Sequence, residues 1–168
     1  MGMEIERKYL IRMPDEAKLL QMPQCSVWEI VQTYLNDAGV GQTRRVRSIR
    51  TGRETYYTYT FKQRINELTC EEREEEISAA EYQSKLQEAN PELNPIEKRR
   101  YRIPNAGQMM EIDIYSFWDD RATLEIELES EDQAPKLPEW LEIVRELTGE
   151  RAYKNRYLAE SIPMEDIG

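Results

Sequence analysis

The sequence contains no histidine. That absence excludes histidine-based nucleophile triads, His-ligated zinc and imidazole acid–base catalysis. Cysteine is nearly absent as well, with Cys25 and Cys70 alone and no CxxC pair. The chain is long for a disulfide scaffold and opens without a signal-peptide pattern, so reduced thiols and a cytoplasmic location are expected. No apolar run approaches the roughly 18–20 residues of a membrane helix, so no membrane partner is expected. Glycine is scarce, with 7 residues. The one Gly-rich stretch, GVGQT at 39–43, is too short for a nucleotide loop and lacks GK[ST], so it reads as a turn. Basic residues are outnumbered 33 to 23, for a net charge of -10. That balance argues against nucleic acid as a partner, because a phosphate backbone needs a surplus of Lys and Arg.

What is present is charge, at 33% of residues, beside 39% hydrophobic content. The 168 residues suit a single domain spanning 1–168, long enough to bury a sizeable core. Strands are expected at 3–12, 27–36, 42–51, 54–65, 68–77, 95–103, 108–116 and 122–130. Turn chemistry separates them at Asp37–Gly41, Thr51-Gly52, Pro104–Gly107 and Trp118–Asp120. Helices are expected at 15–21, 79–89 and 138–147, with a short helix or turn at 152–160. The fold class is therefore α+β, with a closed or nearly closed eight-stranded antiparallel sheet and flanking helices. Trp28, Trp118 and Trp140 are expected in the core or against helices.

A half-buried strand normally alternates apolar residues with mixed polar ones. Here the polar phase is charged, and often of one sign per strand. The first strand gives Glu4, Glu6 and Lys8. RRVRS gives Arg45 and Arg47, and TYTFK gives Thr58, Thr60 and Lys62. CEEREEEI gives Glu72, Glu74 and Glu76, although acids occupy both of its phases. IEKRRYRI gives Lys98, Arg100 and Arg102. MEIDIY gives Glu111 and Asp113, and LEIELE gives Glu125, Glu127 and Glu129. Like charges on one strand face lie about 7 Å apart and repel. A solvated sheet face would explain any one of these segments, since cross-strand pairs there contribute under about 1 kcal/mol. Seven segments segregated by sign favour a shared interior, with the apolar faces turned outward under the helices.

Such an interior has a chemical meaning. Lys8, Arg45, Arg47, Lys62, Lys98 and Arg100 would grip a highly charged anion, and Arg forks match phosphate oxygens. Glu4, Glu6, Glu111, Asp113, Glu125 and Glu127 are hard oxygen ligands suited to Mg2+ or Mn2+. Acids and bases together suit a polyphosphate–metal complex; a phosphate grip alone would not need the acids.

With these segments in view, the chain resembles the CYTH domains, or triphosphate tunnel metalloenzymes. Glu4-Ile5-Glu6-Arg7-Lys8 fits their ExExK signature. IVQTYL with Gln32 and Tyr34, RVR, TFK, REEEI, KRRY, MEIDIY and LEIEL follow in family order. LTGERAYKNRYLA, with Arg151, Tyr153, Lys154 and Asn155, is similar to the family's last segment. The resemblance implies an eight-stranded tunnel acting on a linear triphosphate with a divalent metal. It implies that the six cations above hold the triphosphate. Glu4, Glu6, Asp113, Glu125 and Glu127 would serve metal, with Glu111 secondary. Catalytic roles would fall to Glu4, Glu6 and Lys8, and Glu74 and Glu76 would add a further metal or water-activating group. Hydrolysis of inorganic tripolyphosphate is the leading expectation. A class IV adenylate cyclase, a thiamine or nucleoside triphosphatase and a polyphosphate-binding module stay open. A small-molecule triphosphate is the expected partner, and a family-typical homodimer a further expectation.

Overall fold

A computed structural model describes residues 2–36 and 39–168. Nine strands form one antiparallel sheet: β1 (Gly2–Arg12), β2 (Ser26–Tyr34), β3 (Gln42–Thr51), β4 (Glu54–Arg64), β5 (Thr69–Ile77), β6 (Ile96–Asn105), β7 (Gln108–Tyr115), β8 (Arg121–Glu127) and β9 (Ile143–Glu146). The order is β5-β4-β3-β2-β6-β7-β8-β1-β9, and β5 also pairs with β1. That last pairing closes the first eight strands into a barrel, with β9 left over. The helices are short: α1 (Glu16–Leu20), α2 (Ala79–Leu86) and α3 (Asn155–Leu158), with a 3-10 turn at Arg151–Tyr153.

Local chemistry sets the element ends. Asp15 caps α1 by accepting the Ala17 amide at 3.0 Å, and Ser78 caps α2 by accepting that of Glu81 at 3.0 Å. The β6–β7 turn carries Ala106 and Gly107 at φ of 51° and 82°, the left-handed pair that a two-residue hairpin needs. Asp37 and Ala38 of the expected Asp37–Gly41 turn lie outside the described residues.

The expected helix at 138–147 does not form. Residues 143–146 are β9, which pairs with β1 through Tyr9↔Glu146, Leu10↔Arg145 and Ile11↔Ile143. The reason lies in β1. One of its edges is covered by β8 from Glu6 to Arg12. The other edge is covered by β5 only from Gly2 to Ile5. Beyond that, unpaired backbone groups seek a strand, and β-branched Ile143 and Val144 suit one.

The strand faces sort as the alternation requires. The outward phase of β1, β6, β7 and β8 packs Tyr9, Ile11, Tyr101, Ile112, Leu124 and Ile126 beneath Leu19 of α1 and Leu141. Val46 and Ile77 pack beneath Tyr82 of α2. The inward phase is charged along most of the barrel. It turns apolar at the end where β1 finishes, where Leu10, Ile96 and Tyr115 meet Trp118, Leu147, Tyr153 and Leu158. Segment 147–158 thus plugs part of that end. Trp118 is in this cluster, and Trp28 is half-buried beneath the Arg102 guanidinium, 4.7 Å from its ring centre. Trp140 departs from expectation. It is 44% exposed, because the helix that would have docked it is absent.

Candidate active site

The lumen wall is built by register. Arg45 faces Tyr34 and Thr60 across its two ladders, and Arg47 faces Gln32 and Thr58. On β5, Glu72, Glu74 and Glu76 face Lys62, Thr60 and Thr58. This fixes the phase that the run of acids left ambiguous: Glu74 accepts from Arg47 at 2.6 Å and from Thr60 at 2.9 Å. Arg100 faces Asp113, Arg102 faces Glu111, and Lys8 faces Glu125.

Three carboxylates converge. Glu6, Glu111 and Glu125 place oxygens within 4.8 Å of one another, on three different strands. Burial, then the charges of Glu125 and Glu4, push Glu6 well above the usual carboxylate range. Glu125 behaves oppositely: against its burial, Lys8 and Arg100 hold it down. Carboxylates this close cannot all be ionised unless positive charge joins them. Three hard oxygens in one enclosed place fit Mg2+ or Mn2+ in donor chemistry.

The other expected metal ligands stand elsewhere. Asp113 accepts from Arg100 at 2.7 and 2.9 Å and lies 2.9 Å from the Lys98 ammonium. Although burial opposes it, those two cations hold Asp113 far below its ordinary range. Glu4 lies 3.0 Å from Lys62; against its burial, Lys62 together with hydrogen bonding to Glu72 and Glu6 holds Glu4 well below its ordinary range. Glu127 sits at the mouth opposite the plug, 3.9 Å from Arg102. Glu76 is exposed.

The expected cations all line the lumen. Lys98 is wholly enclosed, and burial pushes it down to about 7 despite Asp113. Arg47 is pushed down to about 10 by burial and by Arg45. Lys8 donates to the Tyr153 carbonyl at 2.6 Å and stands 3.6 Å from Glu125. Arg45 is the exception. It is 8% exposed, makes no ion pair among the described residues, and its buried Nε has no acceptor.

A cavity of about 730 Å³ opens at the partly plugged end, where Lys8, Tyr34, Arg45, Lys62, Arg64 and Lys154 line it. Arg64 was not among the expected site residues. Its signal was present, since it continues the inward phase of Thr58, Thr60 and Lys62 by one more step. Lys154 comes from an irregular segment without periodicity, where its signal was the likeness of LTGERAYKNRYLA to the family's last segment.

A closed antiparallel barrel with a charged lumen is the architecture of the CYTH-like proteins, and the structural neighbours of this chain are of that class. No family model matches the chain, and no curated protein matches it by sequence. Among solved structures, the chain is similar to the inorganic triphosphatase NE1496, with 29% identity, a TM-score of 0.60, and coverage of 98% of this chain and 99% of that one. A conserved hypothetical protein of Pyrococcus furiosus matches at 21% identity and a TM-score of 0.59, over 77% of this chain and 80% of that one. The PH1819 protein of Pyrococcus horikoshii matches at 19% identity and a TM-score of 0.58, with the same coverage of 77% and 80%. These last two are likenesses of fold.

Proposed function

We propose that this chain hydrolyses inorganic tripolyphosphate to pyrophosphate and orthophosphate, using Mg2+ or Mn2+. Arg45 carries this reading: a guanidinium buried in the lumen wall, with no ion pair among the described residues and no acceptor for its Nε, has room to take an anion. The likeness to NE1496, an inorganic triphosphatase, supports the choice of substrate. Free Cys25 and Cys70 accord with a reducing, cytoplasmic setting.

The roles follow from position. Lys8, Arg45, Arg47, Lys62, Lys98 and Arg100 hold the chain of phosphates and stabilise charge that builds on the leaving oxygens. An arriving polyanion favours the charged form of Lys98 and so reverses the effect of its burial. Glu6, Glu111 and Glu125 would hold the cation, with Glu4, Glu127 and Asp113 behind or beside them. A divalent ion bound there would neutralise phosphate charge and help orient a water for in-line attack. Glu74, anchored by Arg47 and Thr60, keeps that arginine aimed along the lumen. Glu76 is left free to meet water near the open mouth.

The test is a substrate panel of tripolyphosphate, ATP and thiamine triphosphate, each with Mg2+ and with Mn2+, scored by product identity. Pyrophosphate plus orthophosphate from tripolyphosphate is expected. Arg45→Gln and Glu125→Gln, with folding retained, should each lose about a hundredfold in turnover. Cyclic AMP from ATP would identify a cyclase instead, and tight binding without turnover would identify a binding module.

A further inference from the structure

The two mouths of the barrel differ in charge. The mouth opposite the plug carries Glu74, Glu76 and Glu127, with Arg47 paired to Glu74 and Arg102 3.9 Å from Glu127. The mouth of the large cavity carries Arg64, Arg151, Lys154 and Arg156. Arg156 pairs with Glu160 at 3.6 Å. Arg64, Arg151 and Lys154 make no ion pair among the described residues. Among the described residues two acids share that rim: Glu67, whose charge reaches Lys154, and Glu150, already taken by Arg145 at 2.5 Å. Burial, with Arg64 and Lys8 close by, pushes the Lys154 ammonium down, so these cations crowd one another.

Unneutralised cations stand out in a chain of net charge -10. A polyphosphate approaching this protein meets a repelling field over most of its surface. At one mouth the field has the opposite sign, and low-dielectric walls concentrate it. We infer that Arg64, Arg151 and Lys154 form an outer anion subsite that captures a linear polyphosphate and sets its rate of association, without taking part in bond cleavage. This inference rests on the reading that the lumen accepts such an anion.

The division of labour is physical. The inner cations are enclosed, and all but Arg45 are ion-paired to lumen acids, so solvent ions screen them weakly. The rim cations stand at the edge of solvent, Arg151 exposed and Arg64 and Lys154 half-buried, and at about 0.1 M salt their reach shrinks to about 10 Å. Rim substitutions should therefore act on capture, and salt should erase their effect.

The experiment compares the intact protein with Arg64→Gln, Arg151→Gln, their double variant and Lys154→Gln, with thermal midpoints to confirm folding. At low salt the double variant should lose roughly tenfold in kcat/KM for tripolyphosphate while kcat stays within about twofold. The difference should close at about 0.5 M salt. A kcat that falls in step with kcat/KM would move these residues into the chemistry and overturn the inference. An unchanged kcat/KM at low salt would overturn it as well. Calorimetric binding of tripolyphosphate without metal is the independent arm: the double variant should bind more weakly, and salt should narrow the gap. If the intact protein hydrolyses no tripolyphosphate, the proposed function fails, yet undiminished binding by the double variant would still be what refutes the outer subsite.

Discussion

Arg45 sets a balance at the scale of one residue. Burial opposes its charge, while Glu4, Glu72 and Glu74 favour it without reaching ion-pair distance. Replacing it with an apolar side chain of similar reach should therefore separate stability from function. Arg45→Leu is expected to leave the stability of the ligand-free protein within about 1 kcal/mol while abolishing tripolyphosphate binding. Urea titration and calorimetry on the same sample check both halves, and a destabilised variant would mean that Arg45 contributes to the resting fold. The candidate site was largely legible at this scale because each lumen residue sits in a period-2 phase with its neighbours. Lys62 marked its strand's inner face, and Arg64 needed only the same count carried further. What the sequence could not show was pairing. Asp113 reads as a metal ligand by its type, yet Arg100 and Lys98 hold it across a ladder whose register depends on the whole sheet.

At the scale of elements, the strands were legible and the segment after Pro138 was not. Residues 138–147 hold helix formers at helical spacing, but Ile143–Glu146 meet an open edge of β1. That edge exists only because β5 leaves β1 after Ile5, a tertiary fact beyond any local window. Another long-range device fixes the end of the chain. Glu165 accepts from Arg145 at 3.1 and 2.6 Å and also from the Tyr153 hydroxyl. The Glu165 main-chain carbonyl accepts from Arg121 at 2.6 Å. The Arg145 and Tyr153 hydrogen bonds lower the Glu165 carboxyl to about 2. A carboxylate lowered in this way stabilises the folded state above its ordinary 4.5, and that contribution is lost as pH falls through about 2. Protection of residues 159–168 against hydrogen exchange, taken relative to the intrinsic rate at each pH, should accordingly be greater at neutral pH than near pH 2–3. Glu165→Gln should show the lower protection at neutral pH already. Equal protection in both proteins at every pH would remove Glu165 as the anchor.

At the scale of the molecule, the barrel was legible because sign-segregated strands leave few other ways to neutralise one another. The plug and the contrast between mouths were not legible, since they depend on where strand ends fall in space. The three converging carboxylates allow a test independent of catalysis. An ion that binds only the folded state stabilises it by about 2.7 kcal/mol at a hundred times its dissociation constant. Mg2+ or Mn2+ should raise the thermal midpoint of the intact protein and should do so much less in Glu6→Gln or Glu125→Gln. An equal rise in all three would place the ion elsewhere.

The shared edge of β1 also bears on how the barrel assembles. Residues 2–12 are synthesised before every partner they will have, at 69–72, 121–127 and 143–146. Closure must therefore wait for contacts more than a hundred residues apart, the kind that slow folding most. Until then β1 has two open edges, which in an apolar strand would invite pairing with other chains. Glu4, Glu6, Arg7 and Lys8 put charge on both of its faces during that interval. Neutralising them should lower the yield of refolding and raise aggregation with protein concentration. The residues that line the finished lumen would thus also act as gatekeepers for the unfinished chain.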